Sequence, residues 1–237
     1  KELTVEFPYG DLDSLETLLE GNKNDTACII ITPVGHPLAK PVITPPKDYL
    51  QGVRDLADKY NVVLVFDEIR TGFRVSMGGA QERYGITPDL SVFGKALANG
   101  YPISACVGKE KIMKTMESKV FVSSTFFPNS LEMAAALKCL EILEREKVTD
   151  VMWERGQWYL DELEKLVNKY NVPCTVSGIP PMPYITFNHV DDKYKARRTK
   201  FYTETIRRGL FIQPYHHWYI AHRHTDEDLK YSLDVIA

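Results

Sequence analysis

A strand–helix–strand pattern in the first third of the chain restricts the possible fold more than any other feature. The runs 27–32 and 62–66 are short and apolar, and the segment 47–60 between them places apolar residues three and four positions apart. Strands that are apolar on both faces are typical of a parallel sheet covered by helices, because each face must be buried. The sequence therefore predicts an α/β fold, with a mostly parallel sheet and helices on both faces.

Further strands and helices are predicted along the rest of the chain. Apolar runs predict strands at 90–93, 103–108, 183–188 and 210–212, and helical spacing predicts helices at 11–19, 131–146, 149–170, 192–208 and 226–236. Asp11 or Asp13 is the expected cap of the first helix, and Thr225 is the expected cap of the last. The pattern changes after the long helices, where short strands surround a basic helix. We expect two domains, 1–145 and 146–237.

The composition is that of an ordinary globular protein. Of the 237 residues, 44% are hydrophobic and 26% are charged, and the formal net charge is −3. No basic surplus indicates binding to nucleic acid or to a membrane surface, and no apolar run approaches the roughly 18 residues of a membrane-spanning helix. The first residues, KELTVEFPYG, lack the apolar core of a signal peptide. The four widely spaced cysteines favour free, buried thiols in a reducing compartment, so we expect a cytoplasmic protein.

Two adjacent carboxylates follow the apolar run 62–66. In doubly wound sheets ligands bind beyond the carboxyl ends of the strands, which is where Asp67 and Glu68 are predicted to lie. The alternative is that Asp67 caps the next turn and Glu68 is solvated, and the pattern alone does not separate these possibilities. A metal site is disfavoured, because no histidine or third acid stands nearby in the sequence.

Lys95 lies just beyond the predicted strand 90–93, in the segment LSVFGKALANGYPI. Glycines and small apolar residues surround it, and burying an ammonium group is costly. Desolvation would lower the pKa of this amine and make it a usable nucleophile for Schiff-base chemistry. The alternative is a surface lysine at the junction of a strand and a loop. An amine nucleophile and a carboxylate such as Asp67 are the two protein groups that pyridoxal phosphate requires.

Three segments carry a resemblance to a known family. FDEIRTGFR, GITPDLSVFGKALANGYPISACVG and SSTFFPNSLEMAAALKCLEIL resemble the class III aminotransferases, which are pyridoxal-phosphate enzymes of fold type I. FRVSMGGAQERYGITPDL is closer to the glutamate-1-semialdehyde 2,1-aminomutase branch of that family. The resemblance covers only the C-terminal half of such enzymes. It implies that 1–145 is the C-terminal part of the cofactor-binding large domain and that 146–237 is a small α+β domain.

The resemblance also implies an activity and a set of site residues. The activity is pyridoxal-phosphate-dependent amino-group transfer, either between a small-molecule donor and acceptor or within one molecule. Asp67 is expected to pair with the pyridine nitrogen, Ile69 to pack under the ring, and Lys95 to form the Schiff base and then move the proton. Thr125 is expected to bind the cofactor phosphate of the neighbouring subunit, which implies a homodimer with active sites at its interface. Glu68 is expected to give structural support.

Several departures from the family pattern concern the substrate pocket. Thr32 replaces the usual glutamate before a proline, and Arg70 replaces the usual glutamine or methionine beside the cofactor. Phe127-Pro128 replaces a small Ser-Gly pair after the phosphate-binding threonine. The N-terminal half of the family pattern, with its glycine-rich phosphate loop, has no counterpart in this sequence. An alternative function is therefore a catalytically incomplete fragment or assembly domain of such an enzyme.

Four histidines, His216, His217, His222 and His224, stand close together near the end of the sequence. A metal site is conceivable, but their spacing matches no standard metal-binding pattern and no cysteine joins them. Positions at the mouth of the active site or on the surface are the expected alternatives.

Overall fold

A computed structural model describes residues 3–123, 125, 127 and 129–237. The described strands are β1 (Cys28–Ile31), β2 (Val63–Asp67), β3 (Leu90–Phe93), β4 (Ala105–Gly108), β5 (Cys174–Ile179) and β6 (Met182–Phe187). The described α-helices are α1 (Leu12–Gly21), α2 (Tyr49–Tyr60), α3 (Gly79–Tyr84), α4 (Glu110–Met113), α5 (Ser130–Arg145), α6 (Val148–Tyr170), α7 (Tyr194–Arg207) and α8 (Asp226–Ile236). The succession of strands and helices confirms the predicted α/β fold.

The first four strands form one mixed sheet in the order β1-β2-β3-β4. β1, β2 and β3 run parallel, with Val65 opposite Leu90, while β4 pairs antiparallel to β3 with Gly108 opposite Leu90. The carboxyl ends of β2 and β3 therefore lie side by side at one end of the sheet. This arrangement brings the residues that follow Asp67 close to those that follow Phe93.

Helices α1 and α2 bury one face of this sheet. Their apolar residues form one core with Ile29, Leu64 and Phe66, and the side chains of Leu64 and Phe66 are completely buried. Successive side chains of a strand point to opposite faces. On the other face of β1, Cys28 is exposed and Ile30 is 60% exposed.

A buried carboxylate joins α2 to the sheet. Asp89 Oδ2 accepts a hydrogen bond from the Leu64 N–H at 2.7 Å and one from the Arg54 guanidinium at 2.9 Å. Asp89 Oδ1 forms an ion pair with Lys109 Nζ at 2.6 Å. Burial by itself would raise the pKa of this carboxyl, but the hydrogen bonds from Lys109, Leu64 and Arg54 outweigh it and hold the pKa below its usual value. These bonds fix β2, β3 and the end of β4 relative to α2.

The second part of the chain builds a hairpin with helices packed on it. β5 and β6 pair antiparallel, with Ile179 opposite Met182, so a two-residue turn of prolines joins them. α6 passes close to this turn at Gly156, where any side chain would strike the Pro180 carbonyl. Residues of α6, β6, α7 and α8 share one apolar core.

The predicted strand at 210–212 is wrong. The Leu210 N–H donates to the Thr205 carbonyl at 2.9 Å and so closes the C-terminal end of α7. The N–H groups of Trp218 and Ile220 instead donate to carbonyls of β6 and its preceding turn. The segment that lines β6 therefore lies further along the chain than predicted. The strand β5 and the short helices α3 and α4 are absent from the sequence prediction.

The expectation of free, buried thiols is correct only in part. The four cysteines are free, but they are not buried: Cys28 and Cys106 are exposed, and Cys139 and Cys174 are half-buried. Cys28 lies on the face of β1 opposite the buried Ile29 and Ile31, and Cys106 lies on β4 at the other edge of the sheet. Within the described part of the chain, no helix combines the length and the apolar character that crossing a bilayer demands.

The contacts divide the chain into two compact units. One unit is Lys1–Pro33 with Pro45–Glu146, and the other is Val34–Thr44 with Lys147–Ala237. The segment 34–44 is held within the second unit by a hydrogen bond from the Val42 N–H to Ser177 Oγ at 3.0 Å. The assignment of two functional domains that meet near residue 146 stays a prediction.

We predict that Asp89→Asn lowers the free energy of unfolding by about 3 kcal/mol at pH 7, because it breaks a buried ion pair. Since the folded-state pKa of Asp89 is depressed, its contribution is present above the unfolded-state pKa of about 4 and is lost as the pH falls through the lower folded value. The difference between wild type and variant should therefore shrink as the pH falls below about 4. Urea denaturation followed by circular dichroism at several pH values measures both effects. Asp58→Asn, which removes an exposed partner of Arg54, is the control, and equal losses in both variants would contradict the prediction.

Candidate active site

Asp67 ends β2 and turns its carboxylate toward the backbone that follows. Asp67 Oδ1 accepts a hydrogen bond from the Ile69 N–H at 3.0 Å, and the side chain is half-buried. The capping alternative is therefore correct for Asp67. Capping is compatible with a ligand-binding role, because a carboxylate has a second oxygen and further lone pairs.

Glu68 is completely buried, so the alternative of a solvated side chain is wrong. Its carboxylate accepts hydrogen bonds from the Thr71 hydroxyl, from the Ala80 N–H at 2.9 Å and from the Gln81 N–H at 3.0 Å. Burial raises the pKa of this carboxyl, although the three hydrogen bonds act in the opposite direction. The bonds satisfy N–H groups in the first turn of α3, which is the structural support expected of Glu68.

Two glycines allow the segment between β2 and α3 to close around Glu68. Gly79 has a φ of 78°, and a Cβ atom there would lie 2.7 Å from Glu68 Oε1. At Gly72 a Cβ atom would lie 2.8 Å from the Glu68 carbonyl oxygen and would also strike the Phe93 ring. A side chain at either position would therefore push the segment away from the strand ends.

Lys95 opens a single 3-10 turn, Lys95–Leu97, directly after β3. Its φ of 42° lies in the left-handed region, which is unusual for a residue with a side chain. The Lys95 carbonyl accepts a hydrogen bond from the Asn99 N–H at 3.0 Å, and the Leu97 N–H donates to the Gly94 carbonyl at 3.0 Å. The Lys95 side chain is exposed, which corrects the expectation of burial drawn from its apolar neighbours.

The segment that follows β2 packs against the segment that follows β3. We call residues 67–74 the Asp67 turn and residues 94–99 the Lys95 turn. The Ile69 side chain lies against the backbone of Gly94, where a Cβ atom would be in van der Waals contact with Ile69 Cγ2 at 3.7 Å. The structure thus brings three of the predicted site residues together on two adjoining turns.

The Lys95 amine has a pKa below its ordinary value. Desolvation is the largest cause, the positive charges of Arg70 and Arg74 add to it, and the Asp67 carboxylate acts in the opposite direction. A lower pKa increases the fraction of neutral amine at a given pH, and the neutral amine is the nucleophile. The shift has the predicted direction although the side chain is exposed.

Residues 9–228 match a family described as aminotransferase class-III. The chain belongs to the class III aminotransferases. The match includes both the Asp67 turn and the Lys95 turn, and it confirms the family indicated by the sequence motifs.

Two relatives show where the chain stands among class III aminotransferases and aminomutases. The 3-aminobutyryl-CoA aminotransferase of Cloacimonas acidaminovorans is 55% identical over 98% of this chain and 56% of its own length. The glutamate-1-semialdehyde 2,1-aminomutase of Persephonella marina is 32% identical over 98% of this chain and 56% of its own length. The chain therefore spans about half the length of the curated relatives it matches.

Two solved structures share the fold of this chain. The PLP internal aldimine form of the FumI protein of Sphingopyxis sp. MTA144 is 27% identical and superposes with a TM-score of 0.90 over 98% of this chain and 55% of that chain. The acetylornithine aminotransferase of Elizabethkingia anophelis is 26% identical, with a TM-score of 0.85 over 98% of this chain and 61% of that chain. These likenesses confirm that the chain forms part of a transaminase fold.

Thr125 is not part of the Asp67 turn or the Lys95 turn of this class III aminotransferase chain. It belongs to a separate turn that precedes α5, and its side chain is exposed. Phe127, the first member of the unusual pair after it, is also exposed, and Pro128 lies outside the described residues. Thr32, which replaces the usual glutamate of the family, is half-buried after β1.

The C-terminal histidines of the aminotransferase chain divide into two sets. His216 and His217 stack with ring centroids 4.3 Å apart, and the His36 ring lies 5.1 Å from that of His217. His222 and His224 instead offer their carbonyl groups to an arginine of α6 at 3.0 Å and 2.9 Å. Among the residues that the structure describes, no group of three or more metal-ligating side chains is placed to hold a metal ion.

Two features of this site are missing from the sequence prediction. One is the hydrogen bonding of the buried Glu68 carboxylate to α3, for which the adjacent glycines Gly78 and Gly79 are a usable signal, since they indicate a close approach of the backbone. The other is the effect of the Arg74 charge on the pKa of the Lys95 amine. These two residues are 21 positions apart in the sequence. No local pattern indicates that effect, because it depends on how two separate strand ends pack.

We predict that Glu68→Gln lowers the free energy of unfolding by about 2 kcal/mol, because an amide NH₂ would then face a buried N–H donor and leave it unsatisfied. Amide hydrogen exchange at Ala80 and Gln81 should accelerate, since the Glu68 carboxylate holds the first turn of α3. Chemical denaturation and exchange monitored by mass spectrometry measure the two effects. Glu16→Gln removes a surface ion pair with Lys59 and serves as the control. Unchanged exchange at Ala80 and Gln81 in Glu68→Gln would contradict the proposed support.

Proposed function

We propose that this class III aminotransferase chain transfers amino groups with pyridoxal phosphate, which Lys95 holds covalently and Asp67 orients. The observation that carries the proposal is the packing of the Asp67 turn against the Lys95 turn at the carboxyl ends of two parallel strands. An amine of lowered pKa and a carboxylate on adjoining turns fit the two protein groups that this cofactor requires. The PLP-bound form of the Sphingopyxis FumI protein supports the choice of cofactor.

Asp67 supplies the negative charge for the ring nitrogen of the cofactor. Its hydrogen bond with the Ile69 N–H holds the carboxylate in one orientation. When bound, pyridoxal phosphate supplies an aldehyde for the lysine and a ring that accepts electrons from the substrate carbon. A carboxylate beside the ring nitrogen keeps that nitrogen protonated, because an opposite charge favours the protonated form.

Lys95 acts first as a nucleophile and then as a proton carrier. Its side chain is exposed, so a substrate can reach it, and its lowered pKa leaves more of the amine neutral. With the cofactor bound, the Lys95 amine would be the group that takes up and returns the proton of the substrate carbon. The Ile69 side chain, which packs against the backbone of Gly94, offers an apolar surface for the ring.

An aminotransferase activity is preferred to an aminomutase activity. The relative at 55% identity is named a 3-aminobutyryl-CoA aminotransferase, and the aminomutase of Persephonella marina is 32% identical. The higher identity favours transfer of the amino group between two molecules. We therefore propose a small-molecule donor with the amino group on the third carbon of an acyl chain.

A homodimer is part of the proposal, with Thr125 binding the cofactor phosphate of the neighbouring subunit. Thr125 is exposed, and so are the apolar residues near it, Val120, Phe121 and Phe127, with Phe121 92% exposed. Several exposed apolar side chains within one short segment are typical of protein interfaces. A second copy of the chain is the occupant that would cover it and place Thr125 at a cofactor site. The four free cysteines support a cytoplasmic location, since reducing compartments keep thiols unpaired.

The alternative is a catalytically incomplete chain that keeps the fold and serves in assembly. This alternative is favoured by the share of a relative that the chain spans, which is 56% of the length of the 3-aminobutyryl-CoA aminotransferase of Cloacimonas acidaminovorans. Binding of pyridoxal phosphate separates the two possibilities, because the incomplete chain would leave Lys95 unmodified.

We expect the purified chain to develop a visible absorbance band with pyridoxal phosphate, and Lys95→Ala to abolish it because the amine that forms the bond is removed. Lys111→Ala, which changes an exposed lysine of α4, should keep the band and is the matched control. Spectra recorded during titration with pyridoxal phosphate measure both outcomes. A wild-type chain without the band would contradict the proposal, and a band that survives in Lys95→Ala would contradict the assigned residue.

The substitution Asp67→Asn tests the proposed role of the Asp67 carboxylate. The variant should keep the band but transfer amino groups about 100-fold more slowly, which is the scale of losing one preorganised electrostatic contact. The rate of amino transfer from 3-aminobutyryl-CoA to a keto acid measures the loss. An unchanged rate would rule out the proposed role of Asp67.

We also expect the chain to be dimeric, and Phe121→Lys to weaken the dimer at least about tenfold, because it puts a charge into an apolar interface. Phe211→Lys changes a phenylalanine that is 78% exposed in the second unit, and it should leave the dimer intact. Sedimentation velocity at several protein concentrations measures the dissociation constants. A monomeric wild type, or equal weakening by both substitutions, would contradict the proposed interface.

A further inference from the structure

One face of α5 packs against the Lys95 turn. Ala136, Cys139 and Leu140 lie three and four positions apart on this helix and so share one face, which we call the inner face of α5. Leu140 and the buried Ala136 belong to the same apolar cluster as Leu97 of the turn. The Cys139 thiol donates a hydrogen bond to the Ala96 carbonyl at 3.4 Å. The inner face thus contacts the turn through apolar packing and through one polar bond.

The Lys95 turn depends on such contacts because it contains a residue in an unfavourable conformation. Lys95 has a φ of 42°, where the Cβ atom of an L-residue is crowded by its own backbone. Residues of this kind persist only where their surroundings hold them. Two backbone hydrogen bonds, from Asn99 to Lys95 and from Leu97 to Gly94, close the turn on itself. They do not fix where the turn stands relative to the sheet, because all their partners belong to the turn.

Buried neighbours hold the turn in its place. Leu97 and Ala98 are buried in one cluster with Phe93 of β3 and Ala136 of α5. Ala98 and Ala136 have small side chains, so the backbones of the turn and of the helix can approach closely. Lys95 itself is exposed, between the buried Phe93 and the buried Leu97. The lysine therefore stands on a piece of backbone whose buried residues pack with the inner face of α5.

The Cys139 thiol is suited to donate a hydrogen bond at neutral pH. Burial raises the pKa of this thiol above its ordinary value, so the proton stays on the sulfur. A thiol is a weak donor in general. Leu140, the next residue of the helix, adds the apolar packing that one weak hydrogen bond does not supply. The two side chains thus act together on neighbouring residues of the turn.

We propose that Cys139 and Leu140 are positioning residues for Lys95, because they hold the backbone from which its amine extends. This inference rests on the proposed function, in which Lys95 is the reacting amine. The two residues act through Ala96 and Leu97 of the turn. A turn that moved away from α5 would expose the amine to more water. Desolvation is the largest cause of the lowered pKa of Lys95, so that pKa would rise toward its ordinary value.

Trace labelling with acetic anhydride tests the positioning without the cofactor. The neutral Lys95 amine attacks the anhydride, forms an amide and releases acetate and a proton, and peptide mass spectrometry gives the rate at each pH. We expect Cys139→Ala and Leu140→Ala each to shift the midpoint of Lys95 labelling upward by about half a pH unit, which lowers the rate below the midpoint about threefold. Cys139→Ser should keep the wild-type midpoint, since a hydroxyl can donate to the same carbonyl. Lys111 in the same samples reports the activity of the reagent.

Leu166→Ala and Cys174→Ala are the matched controls. Both change half-buried side chains of the same types in the apolar cluster of the second unit, and both should leave the midpoint of Lys95 labelling unchanged. They separate positioning of the turn from a general loosening of the chain. Urea denaturation identifies any variant that does not fold. Cys139→Ala removes only the thiol group, so it keeps the test available where Leu140→Ala does not fold.

The outcomes separate this inference from the proposed function. An unchanged midpoint of Lys95 labelling in Cys139→Ala and Leu140→Ala would overturn the positioning role, whether or not pyridoxal phosphate gives its absorbance band. An equal shift in the two control variants would also overturn it. A Cys139→Ser variant that shifts as far as Cys139→Ala would overturn the role of the hydrogen bond. A shift confined to the α5 variants, in a chain that gives no band, would support the positioning and contradict the proposed function.

Discussion

The buried carboxylate of Glu68 constrains the whole region that carries the candidate site. Removing a carboxylate from water costs several kilocalories per mole unless hydrogen bonds replace its hydration. Here the hydroxyl of Thr71 and two N–H groups of α3 replace it. Any displacement of the Asp67 turn away from α3 would take from that carboxylate the two N–H donors of Ala80 and Gln81. The position of Asp67 is thus fixed by the residue that follows it, which is why two adjacent acids have entirely different surroundings.

The end of β3 also places a buried residue and an exposed residue close together in the sequence. Successive residues of an extended chain point in opposite directions, so a buried residue and an accessible one can be neighbours. Phe93 is buried beside Gly72, and Lys95, two positions later, is exposed because a turn with a left-handed residue interrupts the strand pattern. Asp89, at the opposite end of β3, anchors that strand to α2. The strand is therefore held at one end by a buried ion pair and presents the lysine at the other.

Local patterns predicted local structure well. β3 has the predicted bounds, and Thr225 caps α8 through a reciprocal pair of hydrogen bonds with Asp228. Features that depend on distant contacts did not follow from the sequence. The apolar neighbours of Lys95 indicated burial, but exposure depends on which other segments pack over the turn. The association of 34–44 with the second unit depends on a bond between Val42 and Ser177, which are 135 residues apart, and no local periodicity encodes such a pairing.

Helix α5 follows the segment of the proposed interface in the chain and packs against the Lys95 turn. On one side Leu140 packs in the cluster that contains Leu97 of the Lys95 turn, and the Cys139 thiol donates to the Ala96 carbonyl at 3.4 Å. On another side Leu137 is 70% exposed. A helix moves as a rigid element over such short distances, so a partner that covers Leu137 would also restrict the backbone on either side of Ala96. Pairing of two chains and orientation of the Lys95 amine would be physically coupled if the proposed interface extends from Phe127 to Leu137, because α5 packs against the Lys95 turn.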